Sequence, residues 1–284
     1  MINYTFKRNK FKLSSLITHI FLIGLILAFI FPVFVMFSGS LKDNSEVITW
    51  PPTWLPKIFH WNNFCDVWSG DYKLSSGFKN SLIISTSTML LCILFGTLAS
   101  YAVARFKFKG KRTFLFLILA TQMFSPVVLI IPFYNIFKSL SLLNTYISLI
   151  IPNVAFCLPM CIWLLSSYFK SISKDLDEAA MIDGCSRLGA IFKIIIPISM
   201  PGIISVGLFC FIVTWNDLLF PMQFITKDNL RPLTLMLMDF RTNFQTYWNK
   251  TMAASVIASL PIIILFIMIQ KYLVKGLASG SVKE

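Results

Sequence analysis

The chain has 284 residues, of which 56% are hydrophobic and only 13% charged, with a mean hydropathy of +0.75 and a formal net charge of +13. A soluble domain needs more polar surface than this, so the balance excludes an ordinary soluble enzyme or binding module and points to a polytopic membrane protein. Nucleic-acid binding explains the charge poorly, because the basic residues are scattered along the flanks of apolar runs, where they meet anionic lipid heads.

Six apolar runs reach the roughly 20 residues that a spanning helix needs. They are 16–37, 81–104, 113–134, 146–167, 198–220 and 251–270. Helices are expected, since lipid cannot satisfy exposed backbone groups and the runs are too long for barrel strands. The first run follows Lys7, Arg8, Lys10 and Lys12, as in a signal peptide. It is longer than a signal core and no small-residue cleavage site follows, so it reads as an uncleaved helix.

With the N-terminus in the cytoplasm, inner segments hold sixteen of the 25 basic residues. The decisive loop carries Arg105, Lys107, Lys109, Lys111 and Arg112. The positive-inside rule then places both termini inside.

The segment 38–80 is the longest outer stretch and holds Pro51, Pro52, Pro56, Trp50, Trp54, Trp61 and Trp68. It reads as an interfacial lid, with a binding surface as the other reading. In the second run, Gly96 and Ser100 make a small-xxx-small face suited to close helix contact, and its Ser and Thr residues line either a helix contact or a polar pathway. Pro126 and Pro132 interrupt the third run, and Pro152 and Pro159 the fourth, whose start Asn144 and Thr145 are expected to cap. Cys92, Cys157, Cys161 and Cys210 fall in or at the runs and read as small buried hydrophobes, with no metal assigned.

No carboxylate lies at the centre of a run. Asp217 comes nearest, close to the outer end of the fifth. Ion-coupled carriers often keep a carboxylate at mid-membrane, so energy is expected to enter elsewhere. His19 and His60 are the only histidines, and there is no His-Glu-x-x-His site, nucleophile elbow or phosphate loop. No catalytic residue, cofactor or ATP site is expected in this chain.

A polar island interrupts the oil between the fourth and fifth runs, with Asp175, Asp177, Glu178 and Asp183 close together. Residues 173–183 are expected to form a short helix. Ser173 stands at its start, and acidic groups oppose the N-terminal dipole. Ala179 and Ala180 add little bulk, and Ile172, Leu176 and Ala179 or Ala180 fall at helical spacing. Gly184 permits a left-handed turn, and Ser186 can cap a second helix that Pro197 ends or kinks. Residue physics leaves two readings open: a helix for a partner's groove, or a surface helix pair that only links two spans.

The spacing Glu178-Ala179-Ala180-x3-Gly184-x9-Ile194-x-Ile196-Pro197 resembles the EAA loop of ABC-importer membrane subunits, Glu-Ala-Ala-x3-Gly-x9-Ile-x-Leu-Pro, with Ile196 the one departure. Asp183 before Gly184, Ser186 and Pro201 narrow the likeness to carbohydrate-importer permeases of the maltose type. Ile131-Pro-Phe-Tyr134, Leu143-Asn-Thr145, Trp215-Asn-Asp-Leu-Leu-Phe220 and the tail from Gln270 agree. The family usually has Pro where this chain has Ser173.

The resemblance implies an all-α, polytopic fold with six transmembrane helices and a cytoplasmic coupling helix. It implies that Glu178, Ala179, Ala180, Asp183, Gly184, Ile194 and Pro197 form the contact with a cytosolic ABC ATPase dimer. The other implied partners are a second, non-identical permease, an extracytoplasmic solute-binding protein and a sugar, with glycerol-3-phosphate as the alternative solute. The expected division is 1–80 (first helix and outer loop), 81–270 (transport core, with coupling loop 171–197) and 271–284 (cytoplasmic tail). The loop 222–250 is expected to reach the binding protein. An ion-driven carrier and a membrane-embedded enzyme are the rival classes.

Overall fold

The computed structural model describes residues 13–70, 72–240 and 246–281. Among them every regular element is helical. The long elements are α1 (Leu13–Ser40), α2 (Leu74–Arg105), α3 (Lys111–Thr121), α4 (Pro126–Ser139), α5 (Ile147–Ser171), α6 (Asp175–Ile182), α7 (Arg187–Trp215), α8 (Leu219–Phe224), α9 (Leu233–Met236) and α10 (Trp248–Ser281). Five helices are long and apolar enough to cross a membrane, and α3 with α4 makes a sixth crossing if taken as one broken span.

That broken span bears out the expected interruption of the run 113–134 at Pro126. The pair bends by 93° between Thr121 and Pro126. Pro126 opens α4 and pushes Ser125 into extended backbone (φ −64°, ψ 134°), so the helix cannot run through. Gln122 at the break donates to the Phe156 carbonyl of α5 at 2.9 Å, which ties the bend to the bundle. Pro132, Pro152 and Pro159, by contrast, lie inside helices that continue past them.

The centre of the bundle is the packing of α2 on α5, with α7 laid across both. Gly96 brings the first pair together, since a Cβ there would stand 3.2 Å from the Cys161 Cβ. Ser100 then donates to the Ile162 carbonyl at 3.2 Å. At these two positions the small residues of α2 therefore serve helix contact. Cys92, Cys157, Cys161 and Cys210 all sit in this core and are buried, as small apolar groups would be. The helix α1 stands apart, packing along α10 and exposing most of its apolar surface.

The fifth span departs from the expected 198–220 at both ends. It starts at Arg187, and Pro197 neither ends it nor stops its hydrogen-bond ladder. A π-helical turn over Ile191–Ile195 precedes the proline and accommodates the residue that lacks a donor. At the far end α7 stops at Trp215. The Asp217 carboxylate accepts from the amides of Leu219 (3.0 Å) and Phe220 (3.4 Å), capping α8 as a new helix. Asn153 of α5 donates to the same carboxylate at 2.9 Å.

Asparagine side chains tie loops together at the end of the bundle opposite Arg105. Asn63 donates to the carbonyls of Ser40 and Lys42, both at 2.9 Å, and so fastens the segment after α1 to that helix's end. Asn80 of α2 donates to the carbonyls of Asn229 and Arg231. Asn144 does not cap α5 as expected. It adopts φ +58°, and its side-chain oxygen accepts from the amides of Thr226 (2.6 Å) and Lys227 (3.0 Å). Trp50, Trp54 and Trp61 are exposed on this face.

Candidate coupling surface

The acidic island forms the short helix α6 at the Arg105 end of α2, opposite the asparagine ties. Ser173 stands two residues before α6, and its hydroxyl accepts from the Asp175 amide at 3.2 Å. Asp175, Asp177 and Glu178 all fall in the first turn, where negative charge opposes the positive end of the helix dipole.

The helix closes in a Schellman turn. The Cys185 amide donates to the Ala180 carbonyl (3.0 Å) and the Gly184 amide to that of Met181 (3.1 Å). Gly184 has φ +84°, and nothing stands within 4 Å of where a Cβ would be. Backbone conformation, not space, therefore calls for glycine here. Ser186 accepts from the Gly189 amide at 3.1 Å and caps the next helix as expected.

Beneath α6 lies a buried ion pair. Arg105, the last residue of α2, places its Nε 2.8 Å from Asp177, and the two side chains are 6% and 12% exposed. Tyr101, one turn earlier, donates its hydroxyl to the other Asp177 oxygen at 2.8 Å. The remaining Arg105 nitrogens donate to the carbonyls of Ile172 (3.0 Å) and Ser173 (3.3 Å), the residues that join α5 to α6. One guanidinium thus holds the start of α6, the end of α5 and its own helix together. Arg187 lies over the Phe106 ring, 5.6 Å from its centroid. A cleft of about 140 Å³ opens here, between Arg105, Phe106, Glu178, Met181 and Arg187.

The expected contact residues divide into two sets. Glu178, Ala179, Asp183 and Gly184 are exposed on and after α6. Ala180 is turned inward and 1% exposed, so of the two alanines only Ala179 is open at the surface. Ile194 is half-buried in the π turn against the core, and Pro197 is exposed further along α7. The expected apolar stripe is not a single buried face: Ile172 is half-buried, Ala180 buried and Leu176 exposed. The tip instead shows exposed apolar side chains at Leu176, Met181, Ile182 and Leu188.

Asp177 is the residue that sequence reasoning missed, having been read only as a charge against the dipole. Its partner lies 72 residues away. The one local signal is that Tyr101 and Arg105 share a helix face at the end of an apolar span, aimed at whatever lies beneath the loop.

Residues 92–279 match the family described as "Binding-protein-dependent transport system inner membrane component". This chain belongs to that family. It is 39% identical over 278 residues to the probable ABC transporter permease protein YurM of Bacillus subtilis (strain 168), covering 97% of this chain and 91% of that protein. The trehalose/maltose transport system permease protein MalG of Thermococcus litoralis is 38% identical over 206 residues, covering 72% and 74%. A bacterial ABC transporter involved in import of the acidic polysaccharide alginate has a chain of the same fold. Its TM-score is 0.78 at 23% identity, with 96% of this chain and 100% of that one covered.

Membership makes the chain a multi-pass membrane component of a binding-protein-dependent ABC transport system, a permease subunit that carries no ATPase of its own. The tail from Gln270 continues α10 as backbone to Ser281, and residues 282–284 lie outside those described, as do 1–12 with their basic residues. The loop 222–250 is described except for 241–245.

Proposed function

We propose that this permease imports a sugar, that both termini and α6 face the cytoplasm, and that α6 docks on a separate ABC ATPase dimer. The observation that carries this reading is the Arg105–Asp177 pair under α6. An exposed helix tethered at its base by a buried charge pair cannot swing independently of α2 and α5, so a push on its outer face moves the spans. Glu178, Ala179, Asp183 and Gly184 form the contact face in this reading. Ala180 closes the turn behind it, and Ile194 and Pro197 shape the helix that carries the motion away.

Energy enters by differential contact. ATP biases the membrane subunits because the ATPases grip their inward- and outward-facing states unequally. The other partners are a second, non-identical permease and an extracytoplasmic binding protein, met by the outer loops. The core is 81–270, flanked by 1–80 and the tail 271–284. The names of the sugar-transporting relatives support a sugar as the solute, with glycerol-3-phosphate as the alternative.

The test is to isolate the intact complex in mild detergent, identify its companion chains, and measure ATPase stimulation by candidate sugars with their binding protein. A complex with an ATPase stimulated by a sugar supports the reading. A chain that moves solute uphill alone in liposomes overturns it.

A further inference from the structure

Four thiols from three helices meet in the middle of the bundle. Cys92 of α2, Cys161 of α5 and Cys210 of α7 have sulfurs all within 4.8 Å of one another. Cys161 and Cys210 approach to 3.0 Å, inside the roughly 3.5–4.0 Å at which even carbon atoms settle without bonding. Cys157, one turn before Cys161, lies in the same buried cluster. All four are at most 1% exposed.

From sequence, Cys157 and Cys161 had no third ligand to join them. The fold supplies two, from residues 92 and 210. A metal about 2.3 Å from each of three sulfurs holds them about 4 Å apart, so a triangle of this size needs Cys161 and Cys210 to open by only about 1 Å.

We propose that Cys92, Cys161 and Cys210 form a trigonal site for a soft, thiophilic monovalent ion, Cu(I). Ligand softness selects among metals: thiol and thiolate sulfur favours copper(I) over the hard cations. Coordination number then selects within the soft ions. Three sulfurs meet in a core that is otherwise apolar, built of residues such as Leu165, Ile203 and Val206, whereas zinc in a structural site takes four tetrahedral ligands.

Loading is an exchange without redox. A soluble copper(I)–thiolate gives up its ion to one cysteine sulfur, and that cysteine's proton passes to the departing thiolate, which leaves as a thiol. Met89, one turn before Cys92, is half-buried and packs against the same core. Bound metal would join α2, α5 and α7 at one point.

The test uses the full chain with Cys65→Ser and Cys185→Ser, which removes the thiols outside the core. The protein is purified without oxygen and titrated with Cu(I) against a chromophoric copper(I) chelator. The expected result is a single ion held per chain, an X-ray absorption spectrum with sulfur neighbours only, and a raised thermal midpoint. Adding Cys92→Ser, Cys161→Ser and Cys210→Ser should abolish all three.

Because the triple variant removes three buried groups, Cys210→Ser alone is measured beside it. It should weaken binding by more than the roughly 10–100-fold that loss of an outer-shell group costs. Unchanged affinity in Cys210→Ser, nitrogen or oxygen neighbours in the spectrum, or no retention by the parent protein would overturn the site and leave the thiols as packing groups. None of these outcomes bears on the ATPase-coupling reading, which rests on other residues.

Discussion

The two ends of this bundle are held by different chemistry. At the α6 end one buried ion pair, Arg105 with Asp177, carries the attachment, reinforced by Tyr101 and two backbone carbonyls. At the other end the loops are fixed by asparagines bonded to backbone groups, through Asn63, Asn80 and Asn144, and by more exposed ion pairs such as Arg231–Asp239. A neutral hydrogen bond contributes about 1 kcal/mol net, and a buried polar group left without a partner costs about 1–3 kcal/mol. A buried charge left without its partner costs more. The α6 end therefore stays attached or fails as a unit, while the asparagine end can loosen one tie at a time. On the proposed docking of α6, the mechanical input needs the first property, and a surface that opens to a solute needs the second.

Variants can break this contrast, in falling order of effect. Arg105→Ala leaves the Asp177 carboxylate buried and unpaired, and should cost about 3–5 kcal/mol. It should both lower the thermal midpoint in detergent and abolish uptake. An unchanged midpoint would mean that the pair holds nothing. Glu178→Lys should remove uptake with membrane level and thermal midpoint unaltered, because that side chain is exposed. Gly184→Pro should do the same to uptake, since proline fixes φ near −65° where the turn has +84°. Normal uptake in both variants would contradict docking at α6.

Asn144→Ala removes the acceptor for two amides and the Thr226 hydroxyl, and should cost about 2 kcal/mol. The expected readouts are faster proteolysis within 224–231 and uptake largely retained. If uptake fell as far as in Arg105→Ala, the two ends would not differ in kind. Tyr101→Phe should have the smallest effect, about 1.5 kcal/mol from one hydrogen bond to a charged oxygen. Uptake should weaken but persist, because the ion pair remains.

Sequence patterns located most membrane runs to within several residues, because twenty apolar residues in lipid have few alternatives to a helix, while the fifth span starts well before its expected 198, at Arg187. The turn at Gly184 and the cap at Ser186 were also legible, since each depends on residues a few positions apart. Where the reading failed, a distant partner decided. Asn144 was taken as a cap and became a latch, because residues 224–227 lie against it. The interruption of the third run at Pro126 is legible in the sequence, but the depth of the 93° bend is not, since Gln122 there bonds to α5. Asp177 gave no sign that it was anything but a surface charge.

Hydropathy and local spacing alone determined the class of the protein, the approximate place of each span, and the helix–turn–helix of the acidic island. Those features follow from the solvent and from interactions within one or two turns. Only the tertiary structure decided which acid of the island is buried, which alanine faces inward, and that thiols 49 residues apart meet at 3.0 Å. These depend on how α2, α5 and α7 cross. A crossing is set by the fit of whole helix surfaces, which no short stretch of chain records.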